Sequence, residues 1–183
     1  MLLSYNELCK LQDTGVIQNS LREHVNGASI DVTLGKTVLL ECPSKWNENS
    51  VVRLAQKETP LMLNKNISTT GVVLSPGEFI LAQTEQVFNL PNDIAAEFKL
   101  KSSAARAGLQ HALAGWCDPG WHGSVLTLEL ANTLRYRWIE LQAGMKIGQV
   151  IFYRVEPVPD QHSYSAKGQY NGDVAVQASK GIR

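Results

Sequence analysis

Two stretches of this sequence hold side chains whose types and order suit chemistry on a polar small molecule. The first is Lys101-Ser102-Ser103-Ala104-Ala105-Arg106-Ala107-Gly108-Leu109. It follows a strand-like run that ends at Leu100. Ser102 or Ser103 can cap a short helix through Ala104, Ala105 and Arg106, and Gly108 can end it. The open amides of that first turn, two hydroxyls and Lys101 then form an anion cradle. The same residues also describe an ordinary capped turn without a ligand.

The second stretch runs from Ala114-Gly115-Trp116-Cys117-Asp118-Pro119-Gly120-Trp121-His122-Gly123 into Ser124-Val125-Leu126-Thr127-Leu128-Glu129-Leu130. Asp118-Pro119-Gly120 is a tight-turn sequence. The two tryptophans can wall a pocket for a flat base or fill the core. After them the period becomes two, so Leu126, Leu128 and Leu130 share one face and Glu129 falls on the other with Val125, Thr127 and Ala131. A carboxylate among such neighbours is costly unless it is paired, and it is the group a general base needs. The plain alternative is a glutamate on a solvent-facing strand. His111, Cys117 and His122 lie close together, but their spacing matches no standard zinc arrangement, and no C-x-x-C exists for the H-x-E and P-C-x-x-C pattern of zinc deaminases.

These stretches need a scaffold. Ser4 and Glu7 suggest a capping box, Leu8 and Leu11 an apolar stripe, and Gly15 a stop, which together predict a short N-terminal helix. From residue 28 the period is two. Strands are expected near residues 30–34, 71–74, 78–88, 124–131 and 147–155, separated by Pro and Gly. Close-spaced short strands predict a mainly β fold, a distorted barrel or jelly roll. Residues 42–66 read as a polar, irregular excursion. Residues 161–183 lack a core-forming period and read as a mobile tail. All of this fits one domain of 183 residues.

Composition removes several classes of function. Lys+Arg and Asp+Glu both number 17, so the basic excess of a non-specific nucleic-acid binder is absent. No apolar run approaches the ~20 residues of a membrane span, and the first residues do not read as a signal peptide. Three widely spaced cysteines argue against a disulfide framework and for a reducing cytoplasm.

The ordered strings NGASIDVTLG, SPGEFILAQT, KSSAARAGL, AGWCDPGWHG, TLEL and AGMKIGQVIF resemble the dCTP deaminase branch of the dCTP deaminase/trimeric dUTPase superfamily. The resemblance covers nearly the whole chain outside about residues 38–68. It implies a dUTPase-type β fold and a homotrimer with active sites at subunit boundaries. The implied reaction is zinc-independent hydrolysis of dCTP to dUTP and ammonia, with Mg²⁺ entering on the triphosphate and no protein side chain as metal ligand. By position, the resemblance makes Glu129 the general base. Ser102, Arg106 and the backbone carbonyl near Ala114 hold the attacking water. Lys101, Ser103, Asp118, Trp121, Gln149, Tyr164, Lys167, Gln169 and Asp173 contact the nucleotide.

The chain also departs from the family pattern. Lys101 stands where Arg is usual, which removes a bidentate phosphate contact. One residue is missing between Leu109 and Ala114 and one is added between Gly123 and Glu129, which a β-bulge can absorb. In the tail, Gln169 and Asp173 replace a usual lysine and glutamine. An aspartate there repels a triphosphate unless Mg²⁺, Lys167 or Lys180 compensates. Three alternatives follow: a bifunctional enzyme giving dUMP, with Asp118 activating the second water; a preference for dCMP or a modified cytosine nucleotide; or a non-catalytic nucleotide-binding module.

Overall fold

The computed structural model describes residues 1–43 and 51–182. Helix α1 (Tyr5–Asp13) begins where Glu7 Oε2 accepts from the Ser4 amide at 3.4 Å. It buries Leu8 and Leu11, and the chain leaves it through Gly15, whose φ of 74° suits a residue without Cβ. The strands are β1 (Ile17–Gln18), β2 (Ile30–Thr33), β3 (Thr37–Glu41), β4 (Met62–Asn66), β5 (Val72–Leu74) and β6 (Phe79–Asn89). They continue with β7 (Ile94–Leu100), β8 (Leu109–His111), β9 (Trp116–Cys117), β10 (His122–Asn132), β11 (Ile139–Leu141) and β12 (Lys146–Arg154). Two short helices complete the fold: α2 (Ser102–Arg106) after β7, and α3 (Tyr164–Lys167) in the tail.

The strands form three sheets. One has the order β4-β3-β6-β10-β8 with β1 also on β6; a second has β2-β12-β7-β9; the third pairs β5 with β11. The expected mainly β, jelly-roll-like architecture is present, but the sheets do not close into one barrel. Among the described residues an isolated bridge, Leu34 to Thr84, joins the two large sheets. Gln86 reinforces that join. Its Oε1 accepts from the Thr33 amide at 2.9 Å, and its Nε2 donates to the Thr33 hydroxyl and to the Asn19 carbonyl. A buried amide so satisfied is no burden to the fold. One core is drawn from all three sheets, with Ile30, Leu74, Ile80, Leu128, Leu130 and Phe152 fully buried. Each such side chain contributes about 1.5–3 kcal/mol by leaving water.

Three local differences from the sequence reading have physical causes. Residues 62–66, expected to be irregular, form edge strand β4, paired with β3 from Thr37↔Asn66 to Glu41↔Met62. Most of β4 is exposed, so its ladder is backbone hydrogen bonding with little apolar signal. The remainder of the excursion that falls on 44–50 lies outside the described residues. In α2 the N-cap position is Lys101 rather than Ser102 or Ser103, and Ser102 is already helical. In β2 every residue is buried, including Asp31, because neighbouring chain covers both of its faces.

The pairing of β10 is irregular near its start. Its register against β6 shifts between His122 and Ser124, and again between Val125 and Thr127. Beyond the shift, regular pairing resumes and places Glu129 opposite Leu81.

Candidate active site

Glu129 sits in the middle of a sheet, between β6 and β8. The alternation of β10 buries Leu128 and Leu130 in the core and turns Glu129 to the other side, where its side chain is 25% exposed. There it meets His111 of β8, which is 4% exposed and packed against the Phe98 ring at 4.7 Å. His111 Nε2 lies 3.2 Å from Glu129 Oε2. The two atoms are not in hydrogen-bonding orientation, so both remain buried without a hydrogen-bond partner.

Glu129 forms part of the wall of a cavity of about 480 Å³. Trp116, Trp121, Tyr164 and Tyr170 supply aromatic surface, and Leu81, Val125 and Thr127 supply the strand floor. Trp121 stacks on Phe88 at 5.4 Å, and its indole N–H donates to the Tyr170 carbonyl at 2.7 Å. The indole therefore walls the cavity and holds the tail. Burial pushes the Tyr164 hydroxyl above the usual tyrosine range, which keeps it a neutral phenol. Its oxygen accepts from the Tyr170 amide at 3.3 Å.

The tail, read as mobile from sequence, lies across β6 and β10 and closes one side of the cavity. The Val125 amide donates to the Asp173 carbonyl at 3.0 Å. The Val176 amide donates to Gln83 Oε1 at 2.9 Å, and the Gly172 amide to the Ser124 hydroxyl at 2.9 Å. These bonds hold a segment whose composition gives it no core of its own.

The residues singled out in the sequence fall into five places. Glu129, Ala114, Trp121, Tyr164 and Asp173 line the cavity. Asp118, Lys167 and again Tyr164 line a second recess of about 340 Å³. Asp118 accepts from the Trp116 indole at 2.9 Å, which ties it to the cavity rim. Lys101 and Gln149 belong to a cluster around Asp31. Asp31 accepts from Lys101 at 2.5 Å and from Asn26 at 2.7 Å, with Lys146 at 3.4 Å. Gln149 accepts from Ser29 beside it. Burial alone would raise the Asp31 carboxyl, but the hydrogen bonds from Lys101 and Asn26 outweigh it and leave it below the usual carboxylate range. Ser102, Ser103 and Arg106 form the fourth place, exposed on α2 and outside the cavity lining. Gln169 lies in the tail, where its carbonyl accepts from Lys180 at 2.8 Å.

Sequence reasoning placed neither His111 nor Tyr170 in the site. His111 drew notice only for its closeness to Cys117 and His122, and the pairing of β8 with β10 gives it a different neighbour. Burial also pushes the Cys117 thiol well above its ordinary value, which makes it a poor source of thiolate. No group of three or more His, Cys, Asp or Glu is placed to hold a metal ion among the described residues.

Fold and site define a jelly-roll β protein with an aromatic-walled cavity that bears one carboxylate on a sheet strand. Residues 2–155 match the family model described as dCTP deaminase-like. A protein of Methanosphaerula palustris named "dCTP deaminase, dUMP-forming" is 34% identical over 153 residues, covering 83% of this chain and 79% of that one. The chain belongs to the dCTP deaminase-like family. Among solved structures, the 2'-deoxycytidine 5'-triphosphate deaminase of Agrobacterium tumefaciens superposes with a TM-score of 0.64 at 21% identity. That match covers 85% of this chain and 48% of the other, so this chain spans about half its length. A point mutant of the dUTPase from phage phi11 of S. aureus matches with a TM-score of 0.51 at 14% identity, over 78% of this chain and 86% of that one. Both likenesses concern the fold.

Proposed function

We propose that this chain deaminates dCTP hydrolytically and carries the product on to dUMP. The observation that carries the first step is the Glu129 carboxyl, set in the cavity wall with Oε2 unpartnered beside His111 Nε2. The relative's name, dUMP-forming, supports the second step over release of dUTP as the end product.

In this reading cytosine lies between the aromatic walls with C4 at Glu129. The carboxylate takes a proton from water as the new C–O bond forms. It passes that proton to N3, then takes the second proton from the new C4 hydroxyl and gives it to the amine, so that C=O forms as the C–N bond breaks, leaving uracil and ammonia. Each proton-transfer role is worth roughly 10²–10⁴-fold. His111, with Nε2 3.2 Å from Oε2, limits where the carboxylate can turn. Arg106, whose guanidinium only donates, serves for orientation and charge balance.

Ser102 and Arg106 are exposed on α2 and absent from their own chain's cavity lining. That placement supports a trimer in which a neighbouring copy presents them to Glu129. Mg²⁺ would enter with the triphosphate, held by its phosphate oxygens rather than by a protein cage. For the second step Asp118 activates water at the α-phosphorus and pyrophosphate leaves. The setting is cytoplasmic nucleotide metabolism.

Incubation with dCTP, dUTP and dCMP, each with Mg²⁺, tests the reading. Ammonia, dUMP and pyrophosphate from dCTP support it. Absence of ammonia from every cytosine nucleotide refutes deamination, and accumulation of dUTP refutes the second step.

A further inference from the structure

The cavity continues past Glu129, and there its wall changes character. Between β10 and β6 the successive pairs are Thr127↔Gln83, Glu129↔Leu81 and Ala131↔Phe79. On the Thr127 side of Glu129 the wall is polar, and the Thr127 hydroxyl accepts from the Gln177 amide at 3.4 Å. On the other side the sheet supplies Leu81, Phe79 and Met62, with Pro60 just before β4. Val176 and Ala178 of the tail pack with Leu81 and Met62. β4 stands two strands from β6, roughly 10 Å at about 4.8 Å per strand. The sheet side chains of this annex are all apolar. Pro60 and Met62 belong to the stretch that the resemblance to the family leaves out.

A cytosine with C4 at Glu129 has two edges beside that carbon. N3 carries a lone pair and receives a proton in the reaction, whereas C5 and C6 carry only C–H. Setting N3 against the annex would bury a hydrogen-bonding atom without a partner. The N3 edge therefore takes the Thr127 side, and C5 points toward Leu81, Phe79 and Met62. A hydrogen on C5 fills little of a space that continues across two strands. Water left there faces apolar side chains, and an apolar group on C5 displaces it favourably.

We propose that the annex receives an apolar substituent on C5, so that this chain deaminates 5-alkylcytosine deoxynucleotides, of which 5-methyl is the smallest, in preference to the unsubstituted base. Leu81, Phe79 and Met62 set that specificity and take no part in the proton transfers. Water still adds at C4 and ammonia still leaves, and the C5 group is carried through unchanged. The inference rests on the reading of Glu129 as the base that works at C4.

The test measures ammonia release from dCTP, 5-methyl-dCTP and 5-hydroxymethyl-dCTP at fixed Mg²⁺ for the wild type, Met62→Gln and Phe79→Gln, with thermal unfolding as the check on the fold. The wild type is expected to show a kcat/KM about tenfold higher on 5-methyl-dCTP than on dCTP, the scale of one methyl group in a fitted apolar pocket. 5-Hydroxymethyl-dCTP gains less, because the sheet side chains of the annex offer its hydroxyl no partner. Each variant puts an amide into the annex and lowers the ratio of 5-methyl-dCTP to dCTP toward one. The wild-type comparison decides without any variant: ammonia from dCTP with no gain on 5-methyl-dCTP overturns the inference alone. An equal gain on 5-hydroxymethyl-dCTP, or a ratio that folded Met62→Gln and Phe79→Gln both retain, overturns it as well. A wild type that deaminates none of the three overturns the functional reading and this inference with it.

Discussion

Replacing Glu129 by glutamine separates chemistry from folding, because the structure gives opposite expectations for the two. Glutamine keeps the shape of the side chain and removes only its capacity to take a proton. The carboxylate oxygen nearest His111 stands 3.2 Å from its Nε2 without a hydrogen bond, so the substitution breaks no hydrogen bond of that oxygen in the fold. Stability should therefore change by no more than about 0.5 kcal/mol, the range of substitutions that touch no structural contact. The reaction should suffer far more. One carboxyl serves in at least two proton transfers, so a loss of about 10³-fold or more in kcat is expected, on the order of 4 kcal/mol in the barrier. Ammonia release measures the rate, thermal unfolding measures the fold, and the shift in unfolding temperature with added dCTP measures binding. A Glu129→Gln protein that releases ammonia within tenfold of the wild-type rate refutes the assignment of the base. A protein that loses rate only because it no longer folds refutes the structural part of the argument.

The other expectations concern residues around this carboxylate. His111→Leu fills the same space without the nitrogen 3.2 Å from Glu129, so kcat for ammonia release should fall about tenfold or more, with partial recovery in His111→Gln; an unchanged kcat excludes a positioning role. Asp118→Asn should shift the products of dCTP from dUMP toward dUTP, read by nucleotide chromatography, and an unaltered ratio removes Asp118 from the second step. Asp31→Asn leaves Lys101 and Lys146 without their carboxylate and should cost about 1–3 kcal/mol by denaturant unfolding at neutral pH. Because the folded Asp31 carboxyl lies below its ordinary range, its contribution is present above that range and is lost as pH falls through the folded value. The variant should accordingly approach the wild type in stability in acid. A gap that stays constant down to acid pH contradicts the clamp.

Residue order in the chain determined the strands with strong alternation, the N-terminal helix and the position of Glu129 on the face of its strand opposite Leu126, Leu128 and Leu130. Those are local properties: a period of two, a capping pair and a glycine stop are written into neighbouring residues. Local pattern was silent about β4, whose exposed residues pair through backbone alone. It was silent too about Asp31, because burial on both faces depends on which elements come to rest above and below it.

Tertiary structure alone decided who stands beside the Glu129 carboxylate. His111 and Glu129 are 18 residues apart in the chain and meet because β8 pairs with β10. The tail shows the same dependence. Its composition promised no core, yet hydrogen bonds to Val125, Ser124 and Gln83 lay it over the cavity and bring Lys180 onto Asp173. The order of residues settles which chemical groups are available. Long-range strand pairing and packing settle which of them share a space, because their partners lie beyond the reach of any local period.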